Sequence, residues 1–146
     1  LMFISKQGMI KKTALTEYAL LKKNFQAMKL KDGDEVVEGV KEPQENYTFV
    51  FVTSSGMVLN AENKDVPLQG RVSGGVKGVS LSPNEECKCA RLIKEGNENY
   101  VLSVTDKGYA KRVNLKNIDK MARYRKGLKL VVLDASVGKE LKYAKI

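Results

Sequence analysis

Short apolar runs alternate with polar turns along the whole chain, a pattern that is typical of β-strands joined by tight connections. In residues 51–59, an apolar run leads into a turn that ends at Gly56, and a second apolar run follows. Similar stretches occupy residues 3–11 and 103–111, so the glycines of the three turns lie about 50 residues apart. This fixed period predicts a repeated structural unit.

Each of the three turns carries a short hydroxyl side chain three residues before its glycine. The pairs are Ser5 and Gly8, Thr53 and Gly56, and Thr105 and Gly108. The hydroxyl can hydrogen-bond the backbone two residues on, and glycine accepts a positive φ. The pattern predicts a type I turn followed by a left-handed glycine. Unrelated hairpins could share such turns, but the similarity between the repeats extends beyond them.

We predict three repeats, residues 1–46, 47–97 and 98–146, each with a hairpin and then, after a long connection, a second pair of strands. The predicted strands are 2–5, 9–13, 27–31 and 35–40, then 48–53, 57–61, 76–81 and 87–93, then 100–105, 109–113, 128–133 and 140–146. Polar residues at 42–46 and 95–99 predict linkers between repeats. The expected fold is all-β and propeller-like, with three four-stranded blades. Three blades do not close a ring, so we expect a larger ring or edges covered by another copy.

The first long connection, residues 14–26, gives a conflicting signal. Tyr18, Leu21, Phe25 and Met28 have helical spacing, which taken alone would predict a helix over 15–29. Alignment of the repeats places residues 28–30 opposite residues 79–81, which have a strand pattern. We therefore predict at most a turn or two of helix before Asn24.

The composition limits the chemistry. With no histidine and only two cysteines, the chain offers neither an ordinary zinc site nor a histidine base. Cys87 and Cys89 are expected to be small buried hydrophobes in a reducing, cytoplasmic compartment. The sequence has neither an apolar run of membrane-spanning length nor a leader like a signal peptide, and it begins in a strand-like run, which suggests a piece of something larger.

Catalytic motifs are not convincing. Residues 70–77 approach a phosphate-binding loop, but Val76 stands where lysine must follow the second glycine. The carboxylates Asp32, Asp34 and Glu35 are better interpreted as turn residues. We expect a domain that is not an enzyme on its own and that needs no cofactor.

The net charge of +9, from 26 Lys and Arg against 17 Asp and Glu, indicates an anionic partner. Basic residues cluster after the hairpin glycines and in the long connections. If the repeats are arranged radially, these clusters form a curved belt suited to the phosphates of bent duplex DNA. The candidate DNA contacts are Lys11, Lys12, Lys22, Lys23, Arg71, Lys77, Lys111, Arg112, Arg123, Arg125, Lys126 and Lys129. The alternatives are solvated loop charges on a protein-interaction scaffold that does not bind DNA.

The sequence also resembles a known family. Residues 3–13, Glu17-Tyr18, residues 29–34 and the Gly70-Arg71 segment with residues 75–78 are similar to the C-terminal domain of bacterial type IIA topoisomerase A subunits, meaning DNA gyrase or topoisomerase IV. The similarity covers essentially the whole chain. It implies a β-pinwheel, a propeller-like disc that binds and bends DNA around a basic rim.

The same resemblance implies partners and a location. These are double-stranded DNA, the ATPase subunit of the holoenzyme and the cleavage domain of the same subunit, in the cytoplasm at the nucleoid and not at a membrane. Self-association of the chain is a further alternative. Gyrase members carry a Gln-Arg-Arg-Gly-Gly-Lys-Gly box, which residues 121–127 match only at Arg123, Lys126 and Gly127. The chain therefore resembles either a topoisomerase IV subunit or a gyrase piece whose box lies elsewhere.

Overall fold

The structure, a computed structural model, describes residues 1–44 and 46–146; residue 45, in the predicted linker 42–46, lies outside them. Its strands are β1 (Met2–Ser5), β2 (Met9–Lys12), β3 (Val36–Val40), β4 (Tyr47–Thr53), β5 (Met57–Glu62), β6 (Val76–Lys77), β7 (Cys87–Lys94), β8 (Tyr100–Thr105), β9 (Ala110–Asn114), β10 (Lys120–Met121), β11 (Leu128–Lys129) and β12 (Leu141–Lys145). Short 3₁₀ helices occupy Leu15–Tyr18, Asn63–Asp65 and Leu115–Asn117. The predicted all-β fold is confirmed, and the helical spacing in 15–29 gives only one 3₁₀ turn.

The strands form three sheets, one after another along the chain. The first has the order β3-β1-β2-β6, the second β10-β5-β4-β7 with β11 also paired to β5, and the third β12-β8-β9. Neighbouring strands are antiparallel except β10 and β5, which are parallel. Each sheet is built around one of the predicted hairpins, β1-β2, β4-β5 or β8-β9.

The repeats of the sequence do not coincide with the sheets. β6 comes from the second repeat, yet it pairs with β2 of the first sheet, where Lys77 lies opposite Met9. In the same way, β11 of the third repeat pairs with β5 of the second sheet, where Lys129 lies opposite Met57. The second and third long connections, residues 62–75 and 114–127, are therefore each followed by a strand that joins the preceding sheet, and the predicted four strands per repeat do not form one blade.

The strand predicted at residues 27–31 is wrong, because this segment is irregular. Residues 27–31 align with the predicted strands that contain β6 and β11, and β6 and β11 each pair with the hairpin of the preceding repeat. The described residues contain no preceding hairpin with which residues 27–31 could pair. The strands predicted at 76–81 and 128–133 are shorter in the structure, where only the two-residue strands β6 and β11 form. Only the first two residues of each predicted strand pair with a strand of the preceding hairpin, and the next residues hydrogen-bond the carbonyl oxygen of its turn glycine, Gly8 or Gly56.

The hairpin turns have the predicted left-handed glycines, with φ of +77° at Gly8, +79° at Gly56 and +81° at Gly108. The predicted hydroxyl contact differs in its target. The Ser5 hydroxyl accepts from the amide of Met9 at 3.2 Å, four residues on instead of two, and Thr105 accepts from Tyr109 at 3.2 Å. The glycine turns the chain so that the following amide lies against the hydroxyl.

The second sheet is buried on both faces, and β4 is buried along its whole length. Because side chains alternate along a strand, Phe49 and Phe51 pack towards the first sheet while Val50 and Val52 pack towards the third. The near-continuous apolar run of β4 is what such burial requires. The three sheets therefore stack around two hydrophobic cores that share the second sheet.

Candidate nucleic-acid interface

One edge strand of each sheet contacts an edge strand of the neighbouring sheet. β7, an edge strand of the second sheet, contacts β3 of the first sheet and β12 of the third. The Arg91 guanidinium on β7 also donates to the Ile146 carbonyl oxygen at 2.7 Å. We call β3, β7 and β12 the inner edges, and β6, β10 with β11, and β9 the outer edges. The outer edges lie at the opposite end of each sheet from the inner edges.

Several of the predicted DNA contacts lie on the outer edges. Lys77 is exposed on β6, Lys129 on β11, and Lys111 and Arg112 on β9. Each outer edge therefore presents positive charge to solvent. The guanidinium carbon of Arg112 lies 3.8 Å from the centre of the Tyr100 ring, a cation–π contact that holds the side chain while leaving it exposed.

The connection before β11 adds exposed charge beside β6. Arg125 and Lys126 are exposed there, and Tyr124, next to them, has a φ of +64°. Lys77 Nζ lies 4.9 Å from the centre of the Tyr124 ring and 3.3 Å from its hydroxyl oxygen. The structure thus brings Lys77 and the connection of the next repeat together at one place. Tyr124 was not predicted to take part in this contact.

Lys22 and Lys23 are exposed in the irregular part of the first long connection. Lys120, which the sequence analysis did not single out, lies exposed on the outer-edge strand β10 and forms a 2.7 Å ion pair with Glu95. Lys120 lies close in sequence to the basic residues of the third connection, and this position could have identified it as a further candidate contact.

Lys11 does not fit the predicted role of a phosphate contact, because its side chain is fully buried. Its ammonium donates to the Ala27 carbonyl oxygen at 2.6 Å and to the Arg71 carbonyl oxygen. Burial lowers the pKa of the Lys11 ammonium, the nearby Arg71 charge lowers it further, and Glu17 opposes the shift. Lys11 fastens two connections to β2.

Lys12 is half-buried, and its charge is already paired. Its ammonium forms an ion pair with the Glu42 carboxylate, which also accepts a hydrogen bond from the Tyr47 hydroxyl. Burial alone would raise the pKa of the Glu42 carboxyl, but the bonds from Lys12 and Tyr47 outweigh it and hold the pKa below its usual value. A phosphate would have to compete with this carboxylate for Lys12.

Arg71 and Arg123 are also half-buried, and both donate to main-chain carbonyls. The Arg123 guanidinium donates to Asp65 O at 2.8 Å and to Lys77 O at 3.0 Å. The Arg71 guanidinium donates to Gln26 O and lies 5.8 Å from the centre of the Phe25 ring. Donors used in this way are not available to phosphate.

Other kinds of site receive little support. Among the described residues, no three His, Cys, Asp or Glu side chains are grouped so that they could hold a metal ion. In the same part of the chain, no helix is long and apolar enough to cross a membrane. Cys87 and Cys89 are free, and burial raises the pKa of the Cys87 thiol to about 12, so Cys87 is an inert apolar side chain.

Comparison with known proteins identifies the family. The family model described as the DNA gyrase C-terminal domain, beta-propeller, matches residues 1–38, 48–88 and 99–138. The chain belongs to the DNA gyrase C-terminal β-propeller family. The predicted resemblance to bacterial type IIA topoisomerase A subunits is thereby confirmed.

Individual proteins that are similar to this gyrase-family chain are A subunits of DNA gyrase. The chain is 32% identical over 146 residues to the DNA gyrase A subunit of Metamycoplasma arthritidis, a match that covers 99% of the chain and 16% of the relative. It is 28% identical over 116 residues to the DNA gyrase A subunit of Lawsonia intracellularis, covering 78% of the chain and 14% of the relative. The chain thus spans about a sixth of the length of these curated relatives.

Solved structures support the fold. The C-terminal domain of DNA topoisomerase IV superposes with a TM-score of 0.89 at 24% identity, covering 99% of this chain and 45% of that one. The DNA gyrase A C-terminal domain superposes with a TM-score of 0.75 at 24% identity, covering 99% of this chain and 47% of that one. The three sheets of this gyrase-family chain therefore correspond to about half of those domains.

Proposed function

We propose that this chain binds double-stranded DNA without sequence preference along its outer edges and bends it. It would serve as an accessory domain in the A subunit of a type IIA topoisomerase. The observation that carries the proposal is the exposed positive charge on the outer edges of three successive sheets. The proposed contacts are Lys22, Lys23, Lys77, Lys111, Arg112, Arg125, Lys126 and Lys129.

Phosphate contacts explain how this surface would act. Lysine and arginine side chains that neutralise phosphates release counterions, which gives affinity without a requirement for any base sequence. A duplex that follows the outer edges from β6 to β9 would pass three sheets in turn, each with exposed cations. The inner edges of neighbouring sheets contact one another, whereas the outer edges lie at the far ends of the sheets. A path that follows the outer edges from sheet to sheet is therefore curved. Binding along it would bend the duplex at the expense of some of the contact energy.

In the complete enzyme, the bent DNA would be presented to the cleavage domain of the same chain. The ATPase subunit of the holoenzyme would then act on the DNA crossing held in this way. Such a role requires neither a catalytic group nor a cofactor in this domain.

The test is duplex binding as a function of salt, with charge-matched variants. Lys77→Gln and Lys129→Gln each remove one outer-edge charge, and Lys145→Gln removes one exposed charge from the inner-edge strand β12. For each outer-edge variant, the log–log slope of affinity against salt should become shallower by about 0.9. The Lys145 variant should keep the wild-type slope. Equal slopes in all the variants and the wild type would contradict the proposal.

A second function is favoured by one observation. Leu20, Leu21 and Val72 are exposed and line an open groove beside the first connection, an arrangement that suits a protein partner. Salt-insensitive binding of a protein partner, without DNA affinity even at low salt, would favour this interaction scaffold.

Religation of nicked circles in the presence of the domain separates two modes of DNA handling. A shift in linking number would mean that DNA is wrapped, as expected for a gyrase-like role. Binding without such a shift would favour a topoisomerase IV-like role, in which DNA is bound and bent only.

A further inference from the structure

Arg123 connects parts of the molecule that are distant in sequence. It lies in the third long connection, while its two acceptors, Asp65 O and Lys77 O, lie near the two ends of the second. Lys77 is on β6, the outer edge of the first sheet. One guanidinium therefore spans the second connection and links it to the third.

Arg71 makes the matching contact one repeat earlier. We call β6 and β11 the exchanged strands, because each pairs with the hairpin of the preceding repeat. Gly75 and Gly127 directly precede these strands, and Arg71 and Arg123 lie four residues before Gly75 and Gly127. Alignment of residues 28–30 with 79–81 places Gln26 opposite Lys77. The Arg71 guanidinium donates to Gln26 O, just as that of Arg123 donates to Lys77 O.

The surrounding backbone repeats the same arrangement. The Lys29 amide donates to Ser73 O at 3.1 Å, and at the equivalent positions the Ser80 amide donates to Arg125 O at 3.1 Å. Two successive junctions between repeats thus share one arginine and one backbone hydrogen bond, and the second junction adds a 2.6 Å bond from the Tyr124 amide to the Gly78 carbonyl oxygen. Such agreement indicates a common device for joining neighbouring repeats.

These two arginines differ from the exposed cations of the outer edges. Arg125 and Lys126 direct their charges to solvent, whereas Arg71 and Arg123 are half-buried with N–H groups on carbonyl oxygens. Charge-assisted bonds of this kind are among the stronger ones in proteins, and the planar guanidinium fixes their direction. The position of each connection relative to the next is thereby held.

We propose that Arg123 is a positioning residue that fixes the angle between the first and second sheets and so the curvature of bound DNA. This inference rests on the proposed DNA binding along the outer edges. Without Arg123, each sheet keeps its own phosphate contacts, but the outer edges of the first and second sheets are no longer held in one arc. The bend of the DNA should then fall, while the number of phosphates neutralised stays the same.

The experiment compares Arg123→Gln and Arg71→Gln with Lys126→Gln, which removes the same charge from an exposed side chain. The salt slope is measured on a short duplex, and the bend on a longer duplex at saturation by energy transfer between its ends. Arg123→Gln should keep the wild-type slope and lose a large part of the bend. Arg71→Gln, whose contact with Gln26 O joins two connections but no second sheet, should keep both the slope and the bend. Lys126→Gln should make the slope shallower by about 0.9 and keep the bend at saturation.

Arg123→Lys adds a conservative variant. A lysine keeps the charge but lacks the fork that reaches both carbonyls, so it should restore only part of the bend. Full restoration would mean that charge alone matters. Together with a shallower slope in Arg123→Gln, it would show that Arg123 is a phosphate contact and overturn the proposal.

Amide hydrogen exchange tests the junction without DNA. In Arg123→Gln, the Ser80 amide should exchange at least about tenfold faster, because the junction opens locally, while Val50 on the central strand stays protected and shows that the domain is folded. An unchanged Ser80 rate together with an unchanged bend would overturn the proposal. Failure of the wild-type chain to bind DNA would instead overturn the proposed function and the curvature with it. The Ser80 rate would still decide whether Arg123 holds the junction.

Discussion

The ammonium of Lys11 donates a 2.6 Å hydrogen bond to the carbonyl oxygen of Ala27, sixteen residues along the chain. The same nitrogen donates to Arg71 O in the second repeat. A lysine from the first hairpin thus holds two connections that belong to different repeats.

Replacing Lys11 by Met should destabilise the fold. Methionine has similar length but cannot donate, and it leaves the Arg71 carbonyl without the bond from Lys11. Ala27 O keeps the 3.0 Å bond from the Tyr18 hydroxyl, which limits the loss. Relief from burying a charge opposes it as well, so we expect a net loss of about 1–2 kcal/mol in the free energy of unfolding. Urea denaturation measures this loss, with Lys31→Met as the exposed control.

DNA binding provides the counter-test for Lys11. A positioning role predicts that Lys11→Met leaves the salt slope of affinity at the wild-type value. A stable variant with a slope shallower by about 0.9 would restore Lys11 as a phosphate contact.

Replacing Gly127 by Ala should unseat the exchanged strand β11. The added Cβ would overlap the Val58 carbonyl group, whose carbon would lie only 2.6 Å away, and φ at Gly127 is +82°. Because both obstacles are main chain, side-chain rearrangement cannot relieve them. We expect a loss of about 3 kcal/mol or more in the free energy of unfolding, measured by chemical denaturation.

Gly70→Ala is the matched control for that substitution. An added Cβ at Gly70 would meet no atom within 4 Å, so its stability should stay within about 0.5 kcal/mol of wild type. If the two alanine variants were equally stable, the close approach at Gly127 would not hold in solution.

Tyr124 should show the reverse of the usual order of alanine and glycine. Its φ of +64° lies in the left-handed region, which costs a residue with a Cβ about 1 kcal/mol. Both Tyr124→Ala and Tyr124→Gly remove the ring beside Lys77, but only the second relieves the backbone. Thermal or urea unfolding should find the glycine variant more stable by about 1 kcal/mol. A more stable alanine variant would mean that the backbone relaxes once the ring is gone.

The Glu42 carboxyl should contribute an acid-dependent part of stability. Its pKa in the folded protein lies below the usual value of 4.5, so its contribution is present above that value and is lost as the pH falls through the lowered pKa. Glu42→Gln removes the contribution. The difference in unfolding free energy between wild type and variant should be about 1 kcal/mol at neutral pH and shrink in acid. Denaturant titrations across this pH range test it, and a constant difference would contradict it.

The turns and most strands could be predicted because their determinants are local. A hydroxyl residue and a glycine at fixed spacing specify the turn wherever it occurs. The destination of the exchanged strands could not be predicted in that way, because a short apolar run looks the same whichever hairpin it joins. Gly75 and Gly127 were the available signal, since each lies against a carbonyl group of the preceding hairpin.

Lys11 and Lys111 show how far the charge pattern was informative. They occupy equivalent places after the hairpin glycines, yet Lys11 is buried and Lys111 is exposed. Leu59, buried at the same place in the second repeat, already indicated an enclosed position. In the described residues β9 pairs with β8 alone, so Lys111 lies on an uncovered edge, whereas β2 is covered by β6. Exposure therefore depends on the neighbouring repeat, which a single motif does not contain.

The exchange of strands between repeats also separates the unit that sequence duplication copies from the unit that folds. Excision of one period of the chain would remove most of one sheet and also the closing strand of the sheet before it. Gene-level gains and losses of repeats must therefore preserve the junctions and not the sheets. A substitution at one junction should therefore alter the packing of two sheets.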